Sequence, residues 1–352
     1  MIPDDGKTGK DRGTRRSSMK ERDSSRRGRI LVHGGAGPWE EAEGRDGEVV
    51  PALTGAVEAG ISAMREGSAI DAVVEAVAAL ESSGVFNAGR GAVLNLAGGM
   101  ELDAGIMDGE VLRAGGVAAV RSVPHPVRLA RAVSERTENV LVVGPGADEL
   151  ARLFGLSGDL HPLDARRREY EQGRGSYLTS PDQRWVMEIL SGTGRDRGTD
   201  TVGAVALDPA GRLAAATSTG GLPFKLPGRV GDSPLVGHGY YAMRGAGAAS
   251  TSGIGEAIAR YGLSLRAVLR MADGTGAQDA AGEAISGLTA LFGPDTAGII
   301  LLDRTGSPGI SFNTGGMAVG YGGTGTDAGA RIVRREELAG FSTDLFERIR
   351  QK

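Results

Sequence analysis

Thr201 opens the apolar run Thr201-Val202-Gly203-Ala204-Val205-Ala206-Leu207, and Thr219 lies near the end of the next, Leu213 to Gly221. Between them, Asp208-Pro209-Ala210-Gly211-Arg212 carries turn chemistry. Pro fixes φ, Gly accepts a positive φ, and Asp bonds its own backbone. An antiparallel hairpin in which Leu207 faces Leu213 puts Thr201 opposite Thr219, with both hydroxyls on one face of the sheet. A threonine hydroxyl becomes a useful nucleophile when a base takes its proton. The four histidines, His33, His125, His161 and His238, all lie far from Thr201 in sequence. Cleavage just before Thr201 would supply another base, because a free α-amino group has a pKa of about 8 and is partly neutral near pH 7. Nucleophile and base would then share one residue. On these residues alone, an ordinary buried hairpin strand is the better reading.

The segment Lys225-Leu226-Pro227-Gly228-Arg229-Val230-Gly231-Asp232-Ser233-Pro234 is punctuated by Gly and Pro yet apolar enough to be an ordered loop. Arg229 offers a rigid fork for a carboxylate, and Asp232 an acceptor for an ammonium. Together they suit the α-carboxylate and α-amino groups of an amino acid. An Arg–Asp pair across a surface turn fits the spacing equally well.

Several elements must position these groups. Residues 30–32 read as the first buried strand. Pro51 to Gly67 and Ser68 to Ser82 read as Ala-rich helices, the second with Ser68 at its N-cap and Asp71 in its first turn. Val111 to Val120 and Val140 to Gly144 read as strands, Pro126 to Ser134 as a helix, and a further helix runs through Leu153. From about Asp159 to Arg197 the chain is charged and reads as an irregular linker. Gly245 to Gly253 reads as a small-residue strand, Ile254 to Arg260 as a helix, and Ile299 to Asp303 with Gly309 to Thr314 as a final hairpin. The clusters Gly34-Gly35-Ala36-Gly37 and Gly144-Pro145-Gly146 match neither dinucleotide nor Walker spacing.

Composition bounds the reading. The net charge is −4, with 40% hydrophobic and 24% charged residues, so neither nucleic acid nor membrane is the expected partner. There is no cysteine, which excludes disulfides, thiolate metal sites and a cysteine nucleophile. No apolar run reaches the roughly 18 residues that a membrane span needs. Residues 1–29 are polar and basic, without the apolar core of a secretory signal, so a disordered tail and cytoplasmic residence are expected.

Gly198-Thr199-Asp200-Thr201-Val202-Gly203-Ala204-Val205-Ala206-Leu207-Asp208, then Thr217-Ser218-Thr219-Gly220-Gly221, then Pro227 to Pro234 resemble the plant-type L-asparaginases, also called isoaspartyl peptidases. His33-Gly34-Gly35-Ala36-Gly37 and Phe312 to Met317 extend the likeness. The resemblance implies an α/β fold, the four-layer αββα sandwich of N-terminal nucleophile hydrolases, as a single domain over residues 30–352. It implies a precursor cut between Asp200 and Thr201 into an α subunit (1–200, with a mobile linker over about 159–200) and a β subunit (201–352), assembled as an (αβ)₂ homodimer. Thr201 would then attack the side-chain carbonyl of a small substrate, L-asparagine or a β-aspartyl dipeptide. Thr219 would hydrogen-bond the nucleophile, and Asn87 would position it or its leaving group. Arg229 and Asp232 would clamp the α-groups, and Ser252 with Gly253 would hold the oxyanion. No cofactor is implied for catalysis. A structural sodium ion is implied in the loop from Leu80 to Arg90, held through backbone carbonyls of Leu80, Glu81, Ser83, Phe86, Ala88 and Arg90. Ser252 departs from the threonine usual in the family, and Gly293 to Gly298 is less glycine-rich. A glycosylasparaginase, a threonine endopeptidase and an uncleaved amino-acid-binding protein are the alternatives.

Overall fold

The computed structural model describes residues 27–39, 44–178 and 201–338. Apolar residues on successive strand positions face opposite sides of a sheet, so a run buried on both faces needs apolar residues throughout. β1 (Arg29–Gly37), β5 (Val202–Leu207) and β6 (Leu213–Thr219) are such runs and lie side by side. On one flank they are followed by β2 (Leu102–Asp108), β3 (Arg113–Val120) and β4 (Leu141–Val143), and on the other by β11 (Gly316–Gly323) and β12 (Thr326–Arg334). The eight form one sheet, antiparallel except for the β3–β4 pair. β7 (Tyr240–Met243), β8 (Gly247–Gly253), β9 (Ala297–Asp303) and β10 (Pro308–Phe312) form a second, antiparallel sheet.

Three apolar clusters join these sheets to the helices α1 (Asp46–Glu66), α2 (Ala69–Ser83), α3 (Pro126–Arg136), α4 (Gly144–Leu153), α5 (Asp164–Leu178), α6 (Gly255–Tyr261), α7 (Leu263–Ala272) and α8 (Ala277–Phe292). Ile30, Val32, Ala204 and Ala216 pack with Leu53, Val57, Val73 and Val77 of α1 and α2. Their strand neighbours Leu31, Val205 and Ala215 point the other way, onto Tyr240, Ala248, Ile300 and Leu302 of the second sheet. Ile299 and Leu301 turn outward onto Val268, Met271, Ile285 and Leu288. Each large side chain so buried contributes about 1.5–3 kcal/mol. The molecule is therefore a mixed α/β fold.

The hairpin register is the one expected: Leu207 faces Leu213, and the pairing runs to Val202 facing Ser218. Asp208 bonds its own loop through Oδ1, which accepts from the N–H groups of Ala210 (2.9 Å) and Arg212 (3.0 Å). Its Oδ2 accepts from the Ala69 N–H at 3.2 Å, so this distant aspartate serves the first turn of α2. Ser68 stands at the N-cap but donates to Asp71 instead (2.7 Å).

Two readings need correction. Residues 164–178, expected within an irregular linker, form α5. Tertiary anchors hold it: Tyr170 stacks on Phe224 at 5.6 Å, its hydroxyl donates to Leu96 O, and Arg166 Nε donates to Gly91 O. The β9–β10 hairpin is not the last, because β11 and β12 follow and extend the larger sheet beside β1. Their glycine content hides a strand pattern that pairing against β1 makes plain. The basic tail over residues 1–26, the linker after 178 and Asp200 lie outside the described residues. β1 starts at Arg29 rather than Ile30.

Candidate active site

Thr201 immediately precedes β5, and Thr219 is the last residue of β6, so the register brings them to the same sheet end. Thr201 Oγ1 donates to Thr219 Oγ1 at 3.2 Å. Thr219 Oγ1 also accepts from the Gly221 N–H at 3.0 Å. Asn87 supports the same turn: its Nδ2 donates to Gly221 O at 2.6 Å, and its Oδ1 accepts from Val93 N–H at 3.0 Å. A continuous hydrogen-bonded path therefore runs from Asn87 through Gly221 and Thr219 to Thr201, all of it buried.

β8 approaches from the second sheet. His33 Nε2 lies 2.8 Å from Ser250 Oγ, and Ser252 Oγ accepts from the Ala36 N–H at 3.1 Å. His33 pairs with Gly203, and β1 runs antiparallel to β5. Residues beyond His33 therefore lead toward Thr201, and the two contacts make β8 run the same way. Ser252 and Gly253 accordingly stand at the end of the second sheet that faces the threonine pair. Gly253 has φ +147°, and a Cβ there would lie 2.2 Å from Thr296 O, so no other residue fits. Burial lowers the pKa of His33 to about 3, against a backbone hydrogen bond at Thr201 that raises it, so its ring is neutral at pH 7.

Arg229 and Asp232 converge on one point. A Cβ on Gly255 would lie 2.9 Å from Arg229 Nη2 and 3.0 Å from Asp232 Oδ1. Arg229 is not free there, because Glu256 takes its fork in a bidentate pair: Nε donates to Oε1 at 2.9 Å and Nη2 to Oε2 at 2.7 Å. Asp232 Oδ2 accepts from Thr251 Oγ1 at 3.1 Å. Burial raises the Asp232 pKa to about 6, and the Arg229 charge offsets only part of that. An ammonium in front of Asp232 would relieve the penalty. Glu256 and Gly255 were not singled out from sequence, since an acidic residue in a first helical turn is ordinary dipole chemistry.

In the loop after α2, Gly84 is left-handed, with φ +71°. Leu80 O accepts from Ser83 Oγ, Phe86 O from Ala88 N–H and Ala88 O from Gly91 N–H. A Cβ at Gly91 would lie 2.2 Å from Phe86 O and 2.8 Å from Gly84 O, so carbonyl oxygens line its inner side. A separate cleft of about 580 Å³ lies between Glu81, Arg90, His125 and His161, and none of the threonine-site residues lines it.

Paired hydroxyls at a strand terminus, an opposed serine and glycine, and an Arg–Asp pair aimed at one point are suited to acyl transfer on an amino-acid substrate. Comparison with known proteins gives the arrangement its place. The profile of the family described as asparaginase matches residues 27–330. A plant-type L-asparaginase of Pyrobaculum calidifontis is 46% identical over 299 residues, covering 84% of this chain and 97% of that protein. An isoaspartyl peptidase of Salmonella typhimurium is 42% identical over 310 residues, covering 84% and 95%. An isoaspartyl peptidase/L-asparaginase of Danio rerio is 39% identical over 288 residues, covering 81% and 89%. With most of its length matched and identities well above the level at which families separate, the chain belongs to the asparaginase family.

Proposed function

We propose that this chain is an autoprocessing threonine hydrolase that cleaves the side-chain amide of L-asparagine and of β-aspartyl dipeptides, releasing L-aspartate. The observation that carries the reading is the Thr201–Thr219 hydroxyl contact at the strand end that β8 also reaches. Hydrolysis of the Asp200–Thr201 bond frees the Thr201 amine. That amine takes the proton of Oγ1 as the oxygen attacks the substrate carbonyl, and it returns a proton to the departing ammonia or peptide amine. Water then hydrolyses the β-aspartyl ester. Thr219 aligns the nucleophile, with Asn87 bracing the turn behind it. Ser252 and Gly253 hold the oxyanion, a donor of this kind being worth about 3–4 kcal/mol. Asp232 receives the α-ammonium, and Arg229, braced by Glu256, faces the α-carboxylate.

The family reading brings three further elements. The first is the four-layer αββα arrangement of N-terminal nucleophile hydrolases in one domain, which the three stacked apolar clusters support. The others are an (αβ)₂ assembly and a sodium ion held by carbonyls of the loop from Leu80 to Arg90, steadying the segment that carries Asn87. Among the described residues no helix is long and apolar enough to cross a membrane.

Incubated protein should resolve on a denaturing gel into two bands, with Thr201 as the new N-terminus. Thr201→Ala should stay whole and inactive, and a cleaved, active Ala variant would remove the nucleophile assignment. Parallel assays with asparagine, β-Asp-Leu and N-acetylglucosaminyl-asparagine separate this reading from a glycosylasparaginase.

A further inference from the structure

Beside the threonine pair lies an ion pair removed from solvent, with Lys225 1% and Asp103 0% exposed. Asp103 stands directly opposite Thr219 in the β2–β6 register. Its Oδ1 accepts from the Ala119 N–H at 2.8 Å, and its Oδ2 has the Lys225 ammonium 3.5 Å away. Lys225 Nζ donates to Glu101 O at 3.0 Å. Gly221 adopts φ +79°, and a Cβ there would lie 2.7 Å from Lys225 Cδ and 2.9 Å from Nζ. The ammonium thus lies against the one residue whose N–H holds Thr219 and whose carbonyl holds Asn87.

Burial works against both charges, raising the Asp103 pKa and lowering that of Lys225, while each partner partly restores the other. A buried pair of this kind is a poor source of stability, since apolar residues of similar volume serve as well or better. Its value lies in direction. A charge fixed between Glu101 O and Asp103 cannot slide, and the Gly221 turn resting on it is held in register with β2.

Resting on the hydrolase reading above, we propose that the Lys225–Asp103 pair is a positioning device for the nucleophile. It sets the Gly221 turn so that Thr219 meets Thr201, and it governs turnover rather than substrate affinity. The split follows from the contacts. Arg229 is hydrogen-bonded by Glu256 and Asp232 by Thr251, and neither of these bonds runs through Lys225, although the Arg229 charge acts on both Lys225 and Asp103. The hydrogen bonds of the substrate clamp remain when the ammonium is lost, whereas the Gly221 turn loses the group it rests on.

The test compares wild type, Lys225→Met and the double variant Asp103→Asn/Lys225→Met, with kcat expressed per cleaved chain. The single variant leaves a buried carboxylate unpaired and should lower the thermal midpoint. The double variant should recover most of that loss. Both should show slower self-cleavage and a kcat lower by about tenfold or more, with KM for asparagine and for β-Asp-Leu within about threefold of wild type. A double variant with wild-type midpoint and wild-type kcat overturns the proposal, as does a loss carried by KM. If the single variant gives no folded protein, the double variant decides alone. A wild-type protein that neither cleaves nor hydrolyses these substrates would instead overturn the hydrolase reading, and this inference with it.

Discussion

Replacing Asp232 with Asn should make the folded chain more stable at alkaline pH while disabling it. Asp232 is buried, and its pKa rises from 3.8 to about 6 because burial penalises the carboxylate more than Thr251 and Arg229 stabilise it. The native state therefore holds this proton more tightly than the unfolded chain does. Between pH 3.8 and about 6 the unfolded chain binds fewer protons, so this residue's contribution to stability falls as pH rises. At about 1.4 kcal/mol for each pH unit, the gap costs about 3 kcal/mol once the pH is above 6. Asn keeps the acceptor for Thr251 and carries no charge, so it escapes the cost. Urea unfolding at pH 4 and pH 8, both chains in the Thr201→Ala background so that they remain whole, checks this. The advantage of Asp232→Asn should grow by about 2–3 kcal/mol from the acid to the alkaline condition. A difference that is flat with pH, or that favours Asp at pH 8, would refute the reasoning. In the proposed hydrolase the same carboxylate would receive the substrate ammonium. The kcat/KM profile should then fall below about pH 6, and Asp232→Asn should lose about 100-fold in kcat/KM.

Thr219→Val keeps the shape but deprives both Thr201 Oγ1 and the Gly221 N–H of their acceptor. It should cost about 1–3 kcal/mol in urea unfolding and lower kcat with little change in KM. Glu256→Gln replaces one half of the bidentate pair with Arg229 and should raise KM about tenfold, with kcat within about threefold in steady-state assays. Gly253→Ala sets a methyl 2.2 Å from Thr296 O on a backbone at φ +147°. It should abolish hydrolysis and depress the thermal midpoint together, since β8 must shift from β9 to admit it.

How much of this was legible follows the range of the forces involved. The Thr201–Thr219 register was, because the Asp208 turn that sets it is local and brings Leu207 opposite Leu213. Helices α1 to α4 and α6 were legible to within about five residues for the same reason, whereas α7 and α8 went unread. α5 was not, because its sequence is charged and the Tyr170–Phe224 stack that anchors it joins residues more than 50 positions apart. The loop bearing Arg229 and Asp232 offered residue types suited to an amino acid, but gave no sign that Glu256 would already hold the guanidinium fork.

Sequence by itself determined the nucleophile candidate, the turn that aligns it, and the residue types available to clamp an amino acid. Tertiary structure alone decided that Ser252 meets Ala36 across 216 positions, that Asp232 is buried deeply enough to resist ionisation, and that an ion pair between Lys225 and Asp103 underlies the Gly221 turn. The physical reason is that turn geometry and side-chain alternation act over a few residues. Desolvation and charge pairing depend on which distant strands are brought together, and no local pattern encodes that.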